Sequence, residues 1–200
     1  LMLFYGRSKV DLAEGGLLRA FFENADSRLR RYAISFVGRS LGHASAIPED
    51  VLERFRKLWE WRLAAARAEN ATGRPEPLAE PSGFSSWFSA GVFPDDWALD
   101  QLLAVMSSGL SLEHGYDVAK RLATTAEVHP LKSVHALAAV MRSDKEGLEF
   151  IGADSEAVAV LKAALASADP EARAAATVLV HELGSRGMFG FRRLLEKSQP

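Results

Sequence analysis

Apolar residues recur every three or four positions along most of the chain, which is the spacing of amphipathic α-helices. Asp26 can cap a helix over 27–41. The apolar positions of this helix are Leu29, Tyr32, Ala33, Phe36, Val37 and Leu41. The segment 49–70 follows Pro48 and opens with two acidic residues, which suit the positive end of a helix dipole. The pattern of this segment predicts one long helix, whose apolar stripe comprises Leu52, Phe55, Trp59, Leu63 and Ala66.

Helical spacing continues through the second half of the chain, while alternating strand patterns are scarce. Further helices are expected at 84–90, after Pro94 as far as Met106, and at 114–127, 130–143, 154–167, 170–184 and 188–197. Residues 72–83 contain three prolines and two glycines, so this segment is predicted to be a linker. It would separate an N-terminal helical segment, 1–71, from a helical-repeat segment, 84–200, and we expect the two to form one continuous domain.

Four prolines each precede a strongly apolar helical segment: Pro48, Pro94, Pro130 and Pro170. Their separations of 46, 36 and 40 residues are close to the period of HEAT and armadillo repeats, in which pairs of helices stack. The chain is therefore predicted to be all-α, an irregular helical-repeat stack of about 9–11 helices. A closed irregular helical bundle is the alternative, because any all-helical fold repeats apolar segments to some degree.

Composition narrows the classes of function. The chain has 200 residues, a formal net charge of −2 and no cysteine, which excludes disulfides, cysteine-based zinc sites and catalytic thiols. No apolar run approaches the roughly 20 residues that cross a bilayer, so we expect no membrane partner. The order of apolar and basic residues at the start differs from that of a signal peptide. We expect a cytoplasmic protein, and we expect residues 1–200 to be a piece of a longer polypeptide.

Residue types that carry catalysis are present, but not in a catalytic arrangement. His181 and Glu182 begin like a metalloprotease motif, but the second histidine is missing because position 185 is serine. Asp95 and Asp96 directly follow Pro94, where the helix dipole accounts for two carboxylates without a glycosidase site. We therefore expect that the protein is not an enzyme and has no catalytic residues, no metal and no cofactor.

Two apolar stretches are similar to regions of a known kind of protein. They are 17–26 (LLRAFFENAD) with 36–41 (FVGRSL), and 83–99 (GFSSWFSAGVFPDDWAL). Together they resemble helical regions toward the C-terminus of very large bacterial proteins that carry an N-terminal signal-transducing NTPase module. The resemblance implies a sensor or scaffold rather than a catalyst. The chain has no Gly-x-x-x-x-Gly-Lys-Ser/Thr loop, so an NTPase module would lie outside these 200 residues.

Aromatic residues are concentrated between 84 and 97. They are Phe84, Trp87, Phe88, Phe93 and Trp97. A cage for a cation or a stacking platform for a base is one interpretation, but the shared helix face of 84, 87 and 88 favours a common core. We expect Trp59 and Trp97 to be core residues. Trp61 lies about 130° or more from the stripe of the 49–70 helix, so it should face a second layer or open water.

The helix predicted at 27–41 carries a row of basic residues. At about 100° per residue, one side holds Arg28, Arg31, Ser35 and Arg39, and the other holds Leu29, Ala33, Phe36, Val37 and Leu41. No Asp or Glu occurs between Ser27 and Pro48 to neutralise the row within its helix. Arginine holds a carboxylate or phosphate with two bonds, so the row is suited to recognition. Alternatively, carboxylates of the next helix, such as Glu53 or Glu60, pair with it internally.

These features predict a non-enzymatic interaction module, a helical-repeat scaffold or sensor that binds another protein or another domain of its own chain. The candidate binding residues are Arg28, Arg31, Arg39 and Trp61. A nucleic-acid-binding helical repeat is the alternative, because residues 1–75 carry a net charge of +4 and residues 76–200 a net charge of −6. This asymmetry is modest for a nucleic-acid-binding domain, so nucleic acid is the less favoured partner.

Overall fold

A computed structural model describes residues 17–71, 80–107, 112–143 and 152–196. Helices account for 82% of these residues, and none of them forms a strand. The prediction of an all-α protein is therefore confirmed for the described part of the chain. The chain forms two compact units, unit 1 as far as Glu113 and unit 2 from His114.

Unit 1 contains five α-helices and one 3₁₀ helix in its described part. They are α1 (Leu17–Asn24), α2 (Ser27–Gly42), α3 (Glu49–Asn70), the 3₁₀ helix Glu80–Phe84, α4 (Ser85–Ala90) and α5 (Asp95–Met106). Asp26 caps α2 as predicted, since its carboxylate accepts a hydrogen bond of 2.9 Å from the backbone N–H of Leu29. The long helix predicted over 49–70 is also confirmed.

The segment predicted to be a linker, 72–83, is described only at its end. Residues 72–79 lie outside the described residues, so for them the linker stays a prediction. Residues 80–83 belong to the 3₁₀ helix, which is buried and packs against α2 and α3. The boundary between the two compact units lies elsewhere, between Glu113 and His114. The backbone of His114 is left-handed (φ +56°), a conformation that residues other than glycine adopt infrequently.

A cluster of aromatic side chains forms the core of unit 1. The Trp59 ring stacks on Phe84 at a centroid distance of 4.9 Å and meets Trp87 edge to face at 5.9 Å. The predicted α3 stripe is buried throughout: Leu52, Phe55, Trp59, Leu63 and Ala66. Trp97 packs edge-on against Trp59 at 5.3 Å but stays partly exposed, and its indole N–H donates to Glu60. The aromatic block is therefore a core and not a cage.

The buried face of α2 differs from the predicted one. Its buried apolar residues are Ile34, Val37 and Leu41. Three of the predicted apolar positions are instead largely exposed, namely Leu29 (46%), Tyr32 (64%) and Phe36 (45%). The prediction was wrong for Leu29 and Phe36 because α2 carries two apolar stripes, and the spacing of apolar residues does not say which stripe faces the core.

Two glycines explain which stripe of α2 is buried. A Cβ atom on Gly38 would lie 2.7 Å from the backbone carbon of Ser86, and one on Gly83 would lie 2.9 Å from Ser35 Oγ. The absence of these atoms lets α2 approach α4 and the 3₁₀ helix closely. The close approach also brings the Trp87 indole N–H within 2.7 Å of the carbonyl of Ile34, to which it donates.

In its described part, unit 2 contains four longer helices followed by two short ones. They are α6 (Gly115–Thr125), α7 (Pro130–Ser143), α8 (Asp154–Ala166), α9 (Pro170–Ser185), the 3₁₀ helix Phe189–Arg192 and α10 (Arg193–Glu196). The helices predicted at 114–127, 130–143, 154–167 and 170–184 are therefore confirmed, with ends that differ by a few residues. The single helix predicted at 188–197 is instead a 3₁₀ helix followed by one turn of α-helix in its described part. Each of the four longer helices contacts the next, and in addition α6 contacts α8 while α7 contacts α9.

An exposed ion pair connects α7 and α9. Arg142 Nη2 lies 2.6 Å from Glu182 Oε2, and Arg142 Nε also donates to the same carboxylate. The hydrogen bond from Arg142 lowers the pKa of the Glu182 carboxyl, and the positive charges of Arg142 and Arg186 add to this effect against the opposing influence of burial.

Candidate functional site

The outer face of α2 borders an open groove of about 470 Å³. Its lining consists of Arg28, Arg31, Tyr32, Ser35, Arg39 and Glu113. The three arginines and Ser35 are spaced at intervals of three and four residues, so they lie on one side of the helix, as predicted. The structure therefore brings together three of the four predicted binding residues, Arg28, Arg31 and Arg39, at one site.

Glu113 lines the groove and contacts the two middle residues of the basic row, Arg31 and Ser35. Its Oε1 lies 2.6 Å from Arg31 Nε, and its Oε2 accepts a hydrogen bond of 3.1 Å from Ser35 Oγ. The hydroxyl of Ser82 lies 3.5 Å from Oε1. Because this carboxylate is partly buried and contacts three donors, Arg31 is neutralised within unit 1. Sequence reasoning missed Glu113, which no local pattern connects with α2.

The two glutamates predicted as internal partners of the row are engaged elsewhere. Glu53 contacts Arg56 at 3.1 Å and Lys57 at 3.7 Å. Glu60 accepts a hydrogen bond of 2.9 Å from the indole of Trp97. Among the described residues, Arg31 is thus the only arginine of the row that forms an internal ion pair, and its partner, Glu113, comes from a different part of the chain.

Arg28 and Arg39 lie on either side of the Arg31–Glu113 pair, and both are exposed. Neither forms an ion pair or hydrogen bond with any residue that the structure describes. In the described part of unit 1, the other arginines and the lysine contact carboxylates, apart from Arg67, which donates to the carbonyl of Ala104 and the hydroxyl of Ser107. Two guanidinium groups therefore keep their donors available at this site.

A stripe of exposed apolar side chains, which we call the outer stripe, runs beside these arginines. It consists of Leu29, Tyr32 and Phe36, and the rings of Tyr32 and Phe36 stack with centroids 6.5 Å apart. At about 100° per residue the stripe covers an arc of about 60°, adjacent to Arg28 and Arg39. Aromatic and arginine side chains are enriched together at protein interfaces. The feature of the sequence that could have indicated this exposed surface is the presence of two apolar stripes on one helix.

Trp61, the fourth predicted binding residue, is not among the residues that line the groove. It is partly buried on α3, where Phe22 of α1 meets it edge-on at 6.4 Å. The guanidinium carbons of Arg19 and Arg62 lie 5.6 and 4.8 Å from its ring centroid. Trp61 thus faces a second layer, which is one of the two environments predicted for it.

Arg30, the remaining arginine of α2, lies outside the basic row, and its side chain points inward. Arg30 Nε donates to Glu80 Oε2 at 2.6 Å, and Arg62 donates to both carboxylate oxygens, at 2.6 and 3.1 Å. Glu80 is fully buried, and the two arginines are 7% and 3% exposed. This arrangement, which we call the buried ion cluster, joins α2, α3 and the 3₁₀ helix, so its charges serve packing rather than the groove.

The described residues contain no candidate metal-binding site. They include no group of three or more His, Asp or Glu side chains placed to hold a metal ion. None of the helices described has the length and apolar composition required to cross a membrane.

Comparisons of the chain with family models, with curated proteins and with solved structures found no match.

Proposed function

We propose that the protein is a non-enzymatic interaction module that binds another protein, or another domain of its own chain, through the groove on α2. The observation that carries this proposal is the pair of arginines without partners among the described residues, Arg28 and Arg39, next to the outer stripe. Arginine and aromatic residues contribute most of the binding energy at many protein interfaces. The charge of the two arginines favours an acidic partner.

The arrangement of unit 2 supports a scaffold built from helical repeats. α6 and α8 begin 39 residues apart, and α7 and α9 begin 40 residues apart. Buried residues recur at these spacings, as Val118 and Ala157, Leu122 and Leu161, Ala136 and Ala176, and Val140 and Val180. The ion pair of Arg142 and Glu182 joins positions that are also 40 residues apart. We propose that α6–α7 and α8–α9 are two stacked repeats of the HEAT kind.

The resemblance of two stretches to the C-terminal regions of large bacterial signal-transducing proteins is consistent with this role. In that context the module would act as a sensor or scaffold in the cytoplasm, within a longer polypeptide. Its contribution would be to recognise a partner, while any chemistry would be carried out by another domain.

A nucleic-acid-binding helical repeat is the second candidate. The observation that favours it is the stacked pair of exposed rings, Tyr32 and Phe36, beside Arg28 and Arg39. Aromatic platforms flanked by cations are typical of proteins that bind single strands. The net charge of −2 opposes non-specific binding to nucleic acid, and for this reason we rank the candidate second.

A titration of the full chain distinguishes the two candidates. The probes are fluorescent poly-L-glutamate and single-stranded DNA and RNA, each at two salt concentrations. Poly-L-glutamate binding that Arg28→Glu with Arg39→Glu abolishes supports the protein-binding module. The matched control is Lys162→Glu with Arg193→Glu, which makes the same charge change at exposed positions of unit 2.

The other results are equally decisive. Tighter binding to nucleic acid than to poly-L-glutamate, with a steep loss at the higher salt concentration, supports the second candidate. Absence of binding to every probe contradicts both. Equal effects of the two double variants on poly-L-glutamate binding contradict the assignment of the site to α2.

A further inference from the structure

The outer stripe has the residue spacing of a helix–helix interface. Leu29, Tyr32 and Phe36 follow one another at intervals of three and four residues, as the apolar a and d positions of a heptad do. In this register Arg28 directly flanks the stripe, and Arg39 continues the seam beyond its end. At 1.5 Å per residue the two arginines lie about 16 Å apart along the axis, so they bracket an apolar surface about two helical turns long.

The positions of the charges argue against a second copy of α2 as the occupant. A parallel copy would place Arg28 near Arg28, and an antiparallel copy would place Arg28 near Arg39. Either orientation brings like charges together, which disfavours association. A helix with carboxylates at the matching positions would instead neutralise both arginines.

Glu113 indicates which anion the groove accommodates. A carboxylate is already held there by Arg31 at 2.6 Å and by Ser35 at 3.1 Å. Because Arg31 is neutralised by this carboxylate, the remaining charge of the row resides at its two ends, on Arg28 and Arg39. A complementary partner therefore needs acidic groups at both ends of an apolar stretch.

We propose that the groove and the adjoining outer stripe together bind an acidic amphipathic helix of a protein partner, which packs along α2. Its apolar residues contact the outer stripe, and its carboxylates pair with Arg28 and Arg39. This inference rests on the proposed function and deepens it, because it names the conformation and charge pattern of the partner.

The test uses synthetic peptides of about 21 residues, which is three heptads. One peptide carries leucine at a and d and glutamate at e and g, and a second has the same composition in a scrambled order without a heptad pattern. In fluorescence anisotropy, we expect the full chain to bind the heptad peptide at least about tenfold more tightly than the scrambled peptide. Only the heptad peptide can place leucines against the outer stripe and glutamates near Arg28 and Arg39 at the same time.

Protein variants then locate the binding site. Arg28→Glu with Arg39→Glu should weaken binding of the heptad peptide by about tenfold or more, whereas Lys162→Glu with Arg193→Glu should leave it unchanged. A heptad peptide with lysine in place of glutamate should bind the Arg28/Arg39 variant better than it binds the original chain. Circular dichroism establishes that each variant is folded; if the charge variant does not fold, Phe36→Ala takes its place and must weaken binding of the heptad peptide.

Failure of this inference is distinguishable from failure of the proposed function. Equal affinity for the heptad and scrambled peptides, or binding to poly-L-glutamate alone, overturns the helical partner but leaves an acidic protein partner. Tighter binding to single-stranded DNA than to the heptad peptide overturns both, as does absence of binding to every acidic polypeptide. An unchanged affinity of the Arg28/Arg39 variant for the heptad peptide also overturns the inference.

Discussion

Replacement of Glu80 by alanine tests the buried ion cluster of unit 1. The carboxylate of Glu80 is fully buried and accepts hydrogen bonds of 2.6 Å from both Arg30 and Arg62. Its removal leaves two buried guanidinium groups without a counter-charge, although Arg30 retains a 2.6 Å hydrogen bond to the carbonyl of Ala25. Breaking a buried ion pair by removal of one partner costs about 3–5 kcal/mol. We expect Glu80→Ala to lower the free energy of unfolding by about that amount.

Glu53→Ala is the matched control for this substitution. Glu53 also contacts two cations, Arg56 at 3.1 Å and Lys57 at 3.7 Å, but 47% of its side chain is exposed. Ion pairs in water contribute about 0–1 kcal/mol, so Glu53→Ala should have an effect below about 1 kcal/mol. The two variants make the same chemical change and remove the same number of cationic contacts, so burial is the main difference between them.

Urea unfolding followed by tryptophan fluorescence is the appropriate assay. All four tryptophans, at 59, 61, 87 and 97, belong to unit 1, so the signal reports on that unit alone. A value for Glu80→Ala within about 1 kcal/mol of that for Glu53→Ala would refute the reasoning. Methionine at both Arg30 and Arg62 in the Glu80→Ala background should recover stability, because apolar replacement of a whole buried ion cluster is often neutral or stabilising.

Four further substitutions test the packing of unit 1 and the ion pair of unit 2. Trp59→Ala should cost about 3–5 kcal/mol because the indole is fully buried among other rings, and Trp61→Ala should cost clearly less; both are measured by urea unfolding. Gly38→Ala should cost about 1–3 kcal/mol in the same assay, since the added Cβ would overlap the backbone of α4. Arg142 lowers the pKa of Glu182, so Glu182 stabilises unit 2 above the pKa of the unfolded carboxyl and loses this contribution as the pH falls. Glu182→Gln should therefore flatten the acid side of the stability profile, with a loss below about 1 kcal/mol at neutral pH, in thermal unfolding followed by circular dichroism.

Each of these expectations has a control. Gly190→Ala should change stability little, because a Cβ atom at this position would have no neighbour within 4 Å among the described residues. Equal effects at Gly38 and Gly190 would contradict the close approach of α2 and α4. A loss at Trp61 as large as that at Trp59 would contradict the assignment of Trp59 to the centre of the core. An acid profile that Glu182→Gln leaves unaltered would contradict the role of the ion pair.

The helices of this protein could be predicted because their signals are local. Asp26 caps α2, and Pro48 and Pro94 directly precede α3 and α5, whose first turns are acidic. These features act within one turn of helix and depend little on tertiary contacts. The division of the chain into compact units could not be predicted in this way. It falls at Glu113 and His114, where the sequence has no cluster of proline and glycine.

The candidate site could be predicted in part. The row of Arg28, Arg31 and Arg39 is evident from the sequence because α2 contains no carboxylate of its own. The partner of Arg31 could not be identified, because Glu113 is brought to α2 by tertiary packing alone. The inward orientation of Arg30 is likewise hidden, since its partner Glu80 lies 50 residues away in sequence. The outer stripe could not be told from a core stripe, because a helical wheel does not distinguish between two apolar faces on one helix.

The buried ion cluster also bears on how α2 selects one of two orientations as the chain folds. Both the stripe of Ile34, Val37 and Leu41 and the outer stripe are apolar enough to be attracted to the core. Rotation of α2 to bury the outer stripe would move Arg30 away from Glu80, and it would leave a buried carboxylate with one counter-ion fewer. Hydrophobic attraction thus brings α2 to the core without choosing a face. The close approach at Gly38 and Gly83 favours one face, and the pairing of Arg30 with Glu80 penalises the other.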